Sequence, residues 1–117
     1  FAVGVLMALA GAAAAQQAYP GKPIRIIVPV SPGGSVDPLA RLVGQKLTES
    51  WGQQVIVDNR PGANTVIGTE VLAKSPPDGY TLLIASPSSI SVNPALNPKL
   101  SYTPKDLAPV TRMMTFR

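Results

Sequence analysis

The residues best suited to chemistry in this 117-residue chain lie in three polar loops. The first carries Pro32-Gly33-Gly34-Ser35 and closes on Asp37. Adjacent glycines let successive backbone N–H groups face one point, and a helix starting at Asp37 adds the positive end of its dipole, so an anion fits there. The same pair also reads as an ordinary tight turn. It matches neither G-x-G-x-x-G nor G-x-x-x-x-G-K-[ST], which sets dinucleotides and nucleoside triphosphates aside. Asp37 reads as a helix N-cap in preference to a catalytic group. Glu49 belongs to the far end of that helix and Asp58 to a strand, so no carboxylate pair of glycosidase type forms. Ser86, Ser88 and Ser89 can donate hydroxyl hydrogen bonds to a carboxylate, but no general base stands beside them. Arg60 could clamp a carboxylate bidentately, although its neighbour Asp58 favours a surface ion pair. Asn64 reads equally as a ligand donor and as a helix-start residue.

Composition narrows the chemistry further. The chain has no His and no Cys. Ser-His-Asp and Cys-His nucleophiles, zinc, haem and iron–sulfur ligand sets and disulfides are therefore excluded, and no cofactor is implied. Ten Lys+Arg against six Asp+Glu leave a net charge of +4. The basic residues are spread between uncharged or acidic stretches, and one Trp, three Tyr and two Phe form no stacking series, so the charge reads as a solvated surface and not a nucleic-acid footprint.

Strands must precede these loops to position them. Ile24 to Val28 is a short β-branched run of the kind buried on both faces of a parallel sheet, and it stops at Pro29. Asp37 and Pro38 open a helix on which Leu39, Leu42, Val43 and Leu47 share a face, ended by Trp51-Gly52. Gln54 to Asp58 gives a second strand, Thr65 to Lys74 a second helix, and Tyr80 to Ala85 a third strand after the breaker Pro76-Pro77-Asp78-Gly79. The order β-α-β-α-β predicts an α/β fold with a three-stranded parallel sheet and helices packed on it. Beyond Ser86 the prolines forbid a long helix. One helical turn capped by Thr103 and a strand around Val110 to Met114 are expected there.

Phe1 to Ala15 is uncharged, apolar through Val3, Val5, Leu6, Met7 and Leu9, and ends in four alanines. This is the pattern of an export leader and its cleavage site, so residues 1–15 are expected to be a signal peptide remnant. A membrane anchor is the weaker reading, because a span needs about 20 apolar residues. Without Cys no lipid anchor follows cleavage, and the mature chain is expected to be free of the membrane.

Taken together, Tyr19-Pro20, Pro23 to Pro29, Pro32-Gly33-Gly34, Asp37, Ala40-Arg41, Gly52-Gln53, Asn59 to Ala63, Ile67-Gly68 and Pro77 to Leu83 resemble the Bug family, the periplasmic solute receptors of tripartite tricarboxylate transporters. The resemblance covers about Tyr19 to Val110. It implies a hinged two-domain periplasmic binding protein without enzymatic activity, which captures a small organic anion such as a di- or tricarboxylate and presents it to membrane permease subunits. Residues 16–117 would then be a partial amino-terminal solute-binding domain. Carried over by position, the resemblance implies that Ser31, Gly33, Gly34, Ser35 and Asp37 hold a carboxylate, largely through backbone amides, with Asn64, Thr65, Ser86 and Ser88 as further walls. Two features depart from the family pattern: Asn64-Thr65 stands where members usually carry Gly-Gly, and members are much longer. An interaction-only module that touches a permease or sensor without holding solute is the alternative reading.

Overall fold

The computed structural model describes residues 18–115. The expected leader over 1–15 lies outside them. Three parallel strands form the sheet: β1 (Ile24–Val28), β2 (Val55–Asn59) and β3 (Thr81–Leu83), in the order β2-β1-β3. Ile24 stands opposite Val55 and Val28 opposite Asn59, while Arg25 to Ile27 face Thr81 to Leu83 on the other side. The Ile84 amide extends the β3 ladder by one bond to the Ile27 carbonyl at 3.0 Å. α1 (Asp37–Trp51) lies over β1 and β2, and α2 (Val66–Ala73) over β1 and β3. The first crossover runs from β1 to β2 and the second runs the opposite way, from β2 past β1 to β3, so right-handed connections place the helices on opposite faces.

That arrangement explains why β1 reads as a continuous apolar run. Ile24, Ile26, Ile27 and Val28 are each 1% exposed or less, covered on both faces. Each such burial contributes about 1.5–3 kcal/mol, which makes the central strand the main anchor of the fold. Ile26, Val28 and Ala40 form the buried core, with Val30, Val55, Val57, Leu82 and Ile84 at its margin. The helix stripe differs from the expected one: Leu42 is exposed, and the buried positions of α1 are Asp37, Ala40 and Gly44. A Cβ added at Gly44 would already rest in van der Waals contact with Val55 and Val57 at 3.5 Å, so the helix lies close against β2 and packs on it through small residues.

Several boundaries move. Val36, not Asp37, is the N-cap of α1, and the Asp37 side chain makes no cap hydrogen bond because Gly33, Asn59 and Arg41 engage it instead. β3 is shorter than the expected Tyr80 to Ala85. No strand forms over 110–115, where every residue is exposed and no sheet edge receives it. The segment after β3 holds more helix than expected: a π-helical turn over Ser88–Val92 runs into α3 (Asn93–Leu96). Pro94 fits α3 because it occupies the first turn, where its missing N–H is not needed. The expected turn after Thr103 is a 3₁₀ turn over Pro104–Asp106, with the Asp106 carboxylate accepting the Thr103 N–H at 2.8 Å. Among the described residues no helix is long and apolar enough to cross a membrane.

Candidate functional site

The carboxyl ends of the three strands open into the loops 30–36, 60–65 and 84–92. With β1 in the centre, the chain leaves it toward β2 and later returns to its other side at β3, so loops 30–36 and 84–92 flank the point where strand order reverses. Open α/β sheets bind ligands at such crevices.

The first loop is shaped by Asp37. Gly33 takes a left-handed φ of 78°, which glycine adopts without a Cβ penalty, and its N–H then donates to Asp37 Oδ2 at 3.0 Å. Arg41, one helical turn on, donates from Nε to the same oxygen at 3.0 Å. Asn59, the last residue of β2, donates from Nδ2 to Asp37 Oδ1 at 2.9 Å and to the Val30 carbonyl at 3.1 Å, while its Oδ1 accepts from Arg41 at 3.2 Å. Asp37 is 4% exposed, yet every one of these donors favours its charged form. The Gly33 N–H, then Asn59, then Arg41 hold its carboxyl down to about 2 despite burial.

This clasp changes which amides face outward. The Gly33 N–H is taken by Asp37, and the Gly34 N–H donates to the Ser31 carbonyl at 3.1 Å, so the glycine pair does not present two unoccupied amides. Among the described residues the amides of Ser35 and Val36 have no hydrogen-bond partner, and they lead into the amino-terminal end of α1. Ser31, Gly33 and Ser35 are exposed beside them.

A second cluster joins the other two loops. Ala63, Asn64 and Thr65 have φ values of 47°, 51° and 74°, a left-handed turn made of three non-glycine residues. Positive φ at positions 64 and 65 is the conformation that Gly-Gly would take freely. Here side chains hold it. Thr65 Oγ1 accepts from Ser89 Oγ at 2.9 Å, and Asn93 Nδ2 donates to the Asn64 carbonyl at 2.7 Å. Ser89 is fully buried, lies 3.4 Å from Ser86 Oγ, and offers its carbonyl to the Tyr102 hydroxyl at 2.8 Å. Gly68 brings α2 against the end of β1, where a Cβ would stand 2.7 Å from Pro29 Cβ and 2.9 Å from the Arg60 carbonyl. Arg60 itself pairs with Asp58 at 3.1 Å, the surface partner expected from the sequence, and Arg25 Nε donates to the same carboxylate at 2.7 Å. Burial pushes the Asp58 carboxyl up, but the two guanidinium groups outweigh it and hold it below the ordinary value.

Ser31, Gly33, Gly34, Ser35 and Asp37 thus share one cluster, and Asn64, Thr65 and Ser86 share another, both at the carboxyl pole of the sheet. Ser88 opens the π-helical turn between them and Asn93. The sequence reading overlooked Asn59, Arg41, Asn93 and Tyr102. Arg41 was accessible as the i,i+4 partner of Asp37, and Asn59 as a polar residue closing a strand; Asn93 and Tyr102 act across 28 or more and 13 residues of chain, without a local signal.

The reversal point of this α/β sheet therefore carries a polar loop that leads into the amino-terminal end of α1. Residues 39–117 match the family model described as the tripartite tricarboxylate transporter family receptor. The chain belongs to that family, as the motif resemblance implied. It is 48% identical over 113 residues to Protein BugT of Bordetella pertussis, covering 93% of this chain and 35% of that protein. A solved structure described as a periplasmic transporter is similar at 52% identity and TM-score 0.71, covering 74% of this chain and 29% of that one. Two Rhodopseudomonas palustris structures cover the same shares: one solved with adipate (36% identity, TM-score 0.70) and MatC with bound malate (31% identity, TM-score 0.68). The chain spans about a third of the length of the curated relatives it matches first.

Proposed function

We propose that this chain contributes the carboxylate-facing wall of a periplasmic solute receptor, a non-enzymatic protein that captures a small di- or tricarboxylate and delivers it to membrane permease subunits. One observation carries the reading: at the reversal point of the sheet, the Ser35 and Val36 amides, just before α1, have no hydrogen-bond partner among the described residues, in a family whose relatives include proteins solved with adipate and with malate. A carboxylate oxygen is the natural acceptor for such amides, and the α1 dipole favours its charge. Ser31 and Ser35 hydroxyls stand at the rim of that contact. Ser86, Ser88, Asn64 and Thr65 form the facing wall. Gly33, Gly34 and Asp37 set the loop's shape instead of offering amides. The uncharged segment 1–15 serves export, with cleavage near Gln16.

The test is a titration of the ¹⁵N-labelled chain with adipate, malate and a neutral sugar. Ser35 and Val36 amide resonances should shift with the carboxylates and not with the sugar. Three charge-assisted bonds supply about 4.5–9 kcal/mol gross, against roughly 4–15 kcal/mol of lost freedom. Because Ser31 and Ser35 are open to water, saturation is expected only near millimolar ligand. Carboxylate-insensitive loop resonances at that concentration, with shifts elsewhere or nowhere, would refute the assignment.

A further inference from the structure

We propose that Asn59 is a positioning residue for the anion-facing loop, latching loop 30–36 to the end of β2 through Val30 and Asp37. The proposal rests on the carboxylate-binding reading above and adds the group that sets its geometry. One carboxamide performs both tasks: Nδ2 donates to the Val30 carbonyl at 3.1 Å and to Asp37 Oδ1 at 2.9 Å, and Oδ1 accepts from Arg41 at 3.2 Å. Its own place is set by the sheet, because Asn59 is in register with Val28 and the Arg60 amide donates to the Val28 carbonyl at 2.8 Å. The loop is therefore tied at Val30 and Asp37 to two hydrogen-bonded strands, in addition to the bonds it makes within itself.

The latch also manages charge. A nine-tenths-buried carboxylate needs donors on its oxygens to stay ionised, and the Arg41 cation, which Asn59 Oδ1 helps to hold, offsets its negative charge beside the loop. Asn59, Gly33 and Arg41 occupy both Asp37 oxygens. An aspartate at position 59 would keep the shape, lose the donors and set a second carboxylate against Asp37, whereas alanine loses the donors without adding charge, so the two variants together separate donation from charge.

The test compares the ¹⁵N-labelled chain with Asn59→Asp and Asn59→Ala. The Gly33 amide should exchange with solvent about tenfold faster in both variants, and Ser35 and Val36 should require about tenfold more adipate for the same shift. The Gly52 amide, bonded to the Thr48 carbonyl at the other end of α1, should keep its protection and serves as the folding control. Wild-type behaviour of Asn59→Asp in both measurements would overturn the latch, since isosteric packing would then suffice. If an Asn59 variant also loses Gly52 protection, the milder Asn59→Ser decides: its single short hydroxyl cannot span both Val30 and Asp37, and unchanged Gly33 exchange would overturn the proposal. Should adipate leave the wild-type loop untouched, the carboxylate reading fails, while Gly33 exchange still judges the latch alone.

Discussion

The left-handed turn Ala63-Asn64-Thr65 offers a sharp test of what holds the second loop, because the same backbone strain is relieved at two positions with opposite expected outcomes. Each non-glycine residue in this region costs about 1–2 kcal/mol. Ala63 is exposed, and no hydrogen bond of its side chain is at stake. Replacing it with Gly removes that cost and adds about 0.5–1 kcal/mol of unfolded-state entropy, so Ala63→Gly should stabilise by about 0.5–1 kcal/mol. Thr65→Gly relieves the same strain and carries the same entropy. It also deletes the acceptor of the buried Ser89 hydroxyl, 2.9 Å away, and an orphaned buried donor costs about 1–3 kcal/mol. The sum is a net loss of about 1 kcal/mol. Thr65→Ser keeps the oxygen while easing the β-branched clash, and should equal or exceed the wild type. Urea unfolding followed by far-UV circular dichroism and by Trp51, the single tryptophan, measures all three. At a slope of about 1.5 kcal/mol/M, Ala63→Gly should raise the midpoint by about 0.3–0.7 M and Thr65→Gly lower it by about 0.7 M. An unchanged or lower midpoint for Ala63→Gly would show that the turn stores no strain. A Thr65→Gly chain as stable as Ala63→Gly would show that the Thr65–Ser89 bond contributes nothing.

Two further outcomes follow from the site. Asp37 sits below its ordinary value in the folded chain because Gly33, Asn59 and Arg41 hold the ionised form, so its contribution is fully present above about pH 4 and is lost as the pH falls toward about 2. A denaturation midpoint measured across that range should fall for the wild type and fall less for Asp37→Asn, which starts lower at neutral pH; parallel curves for the two chains would refute the linkage. Gly68→Ala should destabilise by about 1–3 kcal/mol and shift the resonances of Pro29-adjacent and Arg60-adjacent amides, because the added Cβ meets Pro29 at 2.7 Å and a rigid carbonyl at 2.9 Å. A neutral Gly68→Ala substitution would mean that α2 is free to lift from β1.

How much of this was legible in the sequence divides along the range of the interactions. The β1 run, the breaker Pro76 to Gly79 and the Gly52 stop are local signals, and the sheet and both main helices lie within a residue or two of where they place them at most ends. Packing distance was not legible: the buried face of α1 runs through Ala40 and Gly44, chosen by closeness to β2, while hydrophobic spacing pointed to Leu42. The strand expected after Pro109 failed for a related reason, since a strand needs an edge to pair with and the described residues there meet none.

The candidate site shows the same division more sharply. Gly-Gly before a helix announces a tight turn at a helix start, and that much is visible in four consecutive letters. Which amides remain available depends on Asp37, and what Asp37 does depends on Asn59, which is 22 residues away in sequence and reaches it only because β2 lies beside β1. An N-cap was the best local use for Asp37, but the fold supplied other donors, from the loop before the helix, from β2 and from Arg41 one turn on. The Asn64-Thr65 departure from Gly-Gly has a comparable explanation. The left-handed turn survives two non-glycine residues because Asn93 and Ser89, brought in by the π-helical turn after β3, bond to the very residues under strain. In both loops the short motif states that the chain turns there, while side chains from neighbouring strands and loops decide the geometry the turn takes and which amides it leaves available.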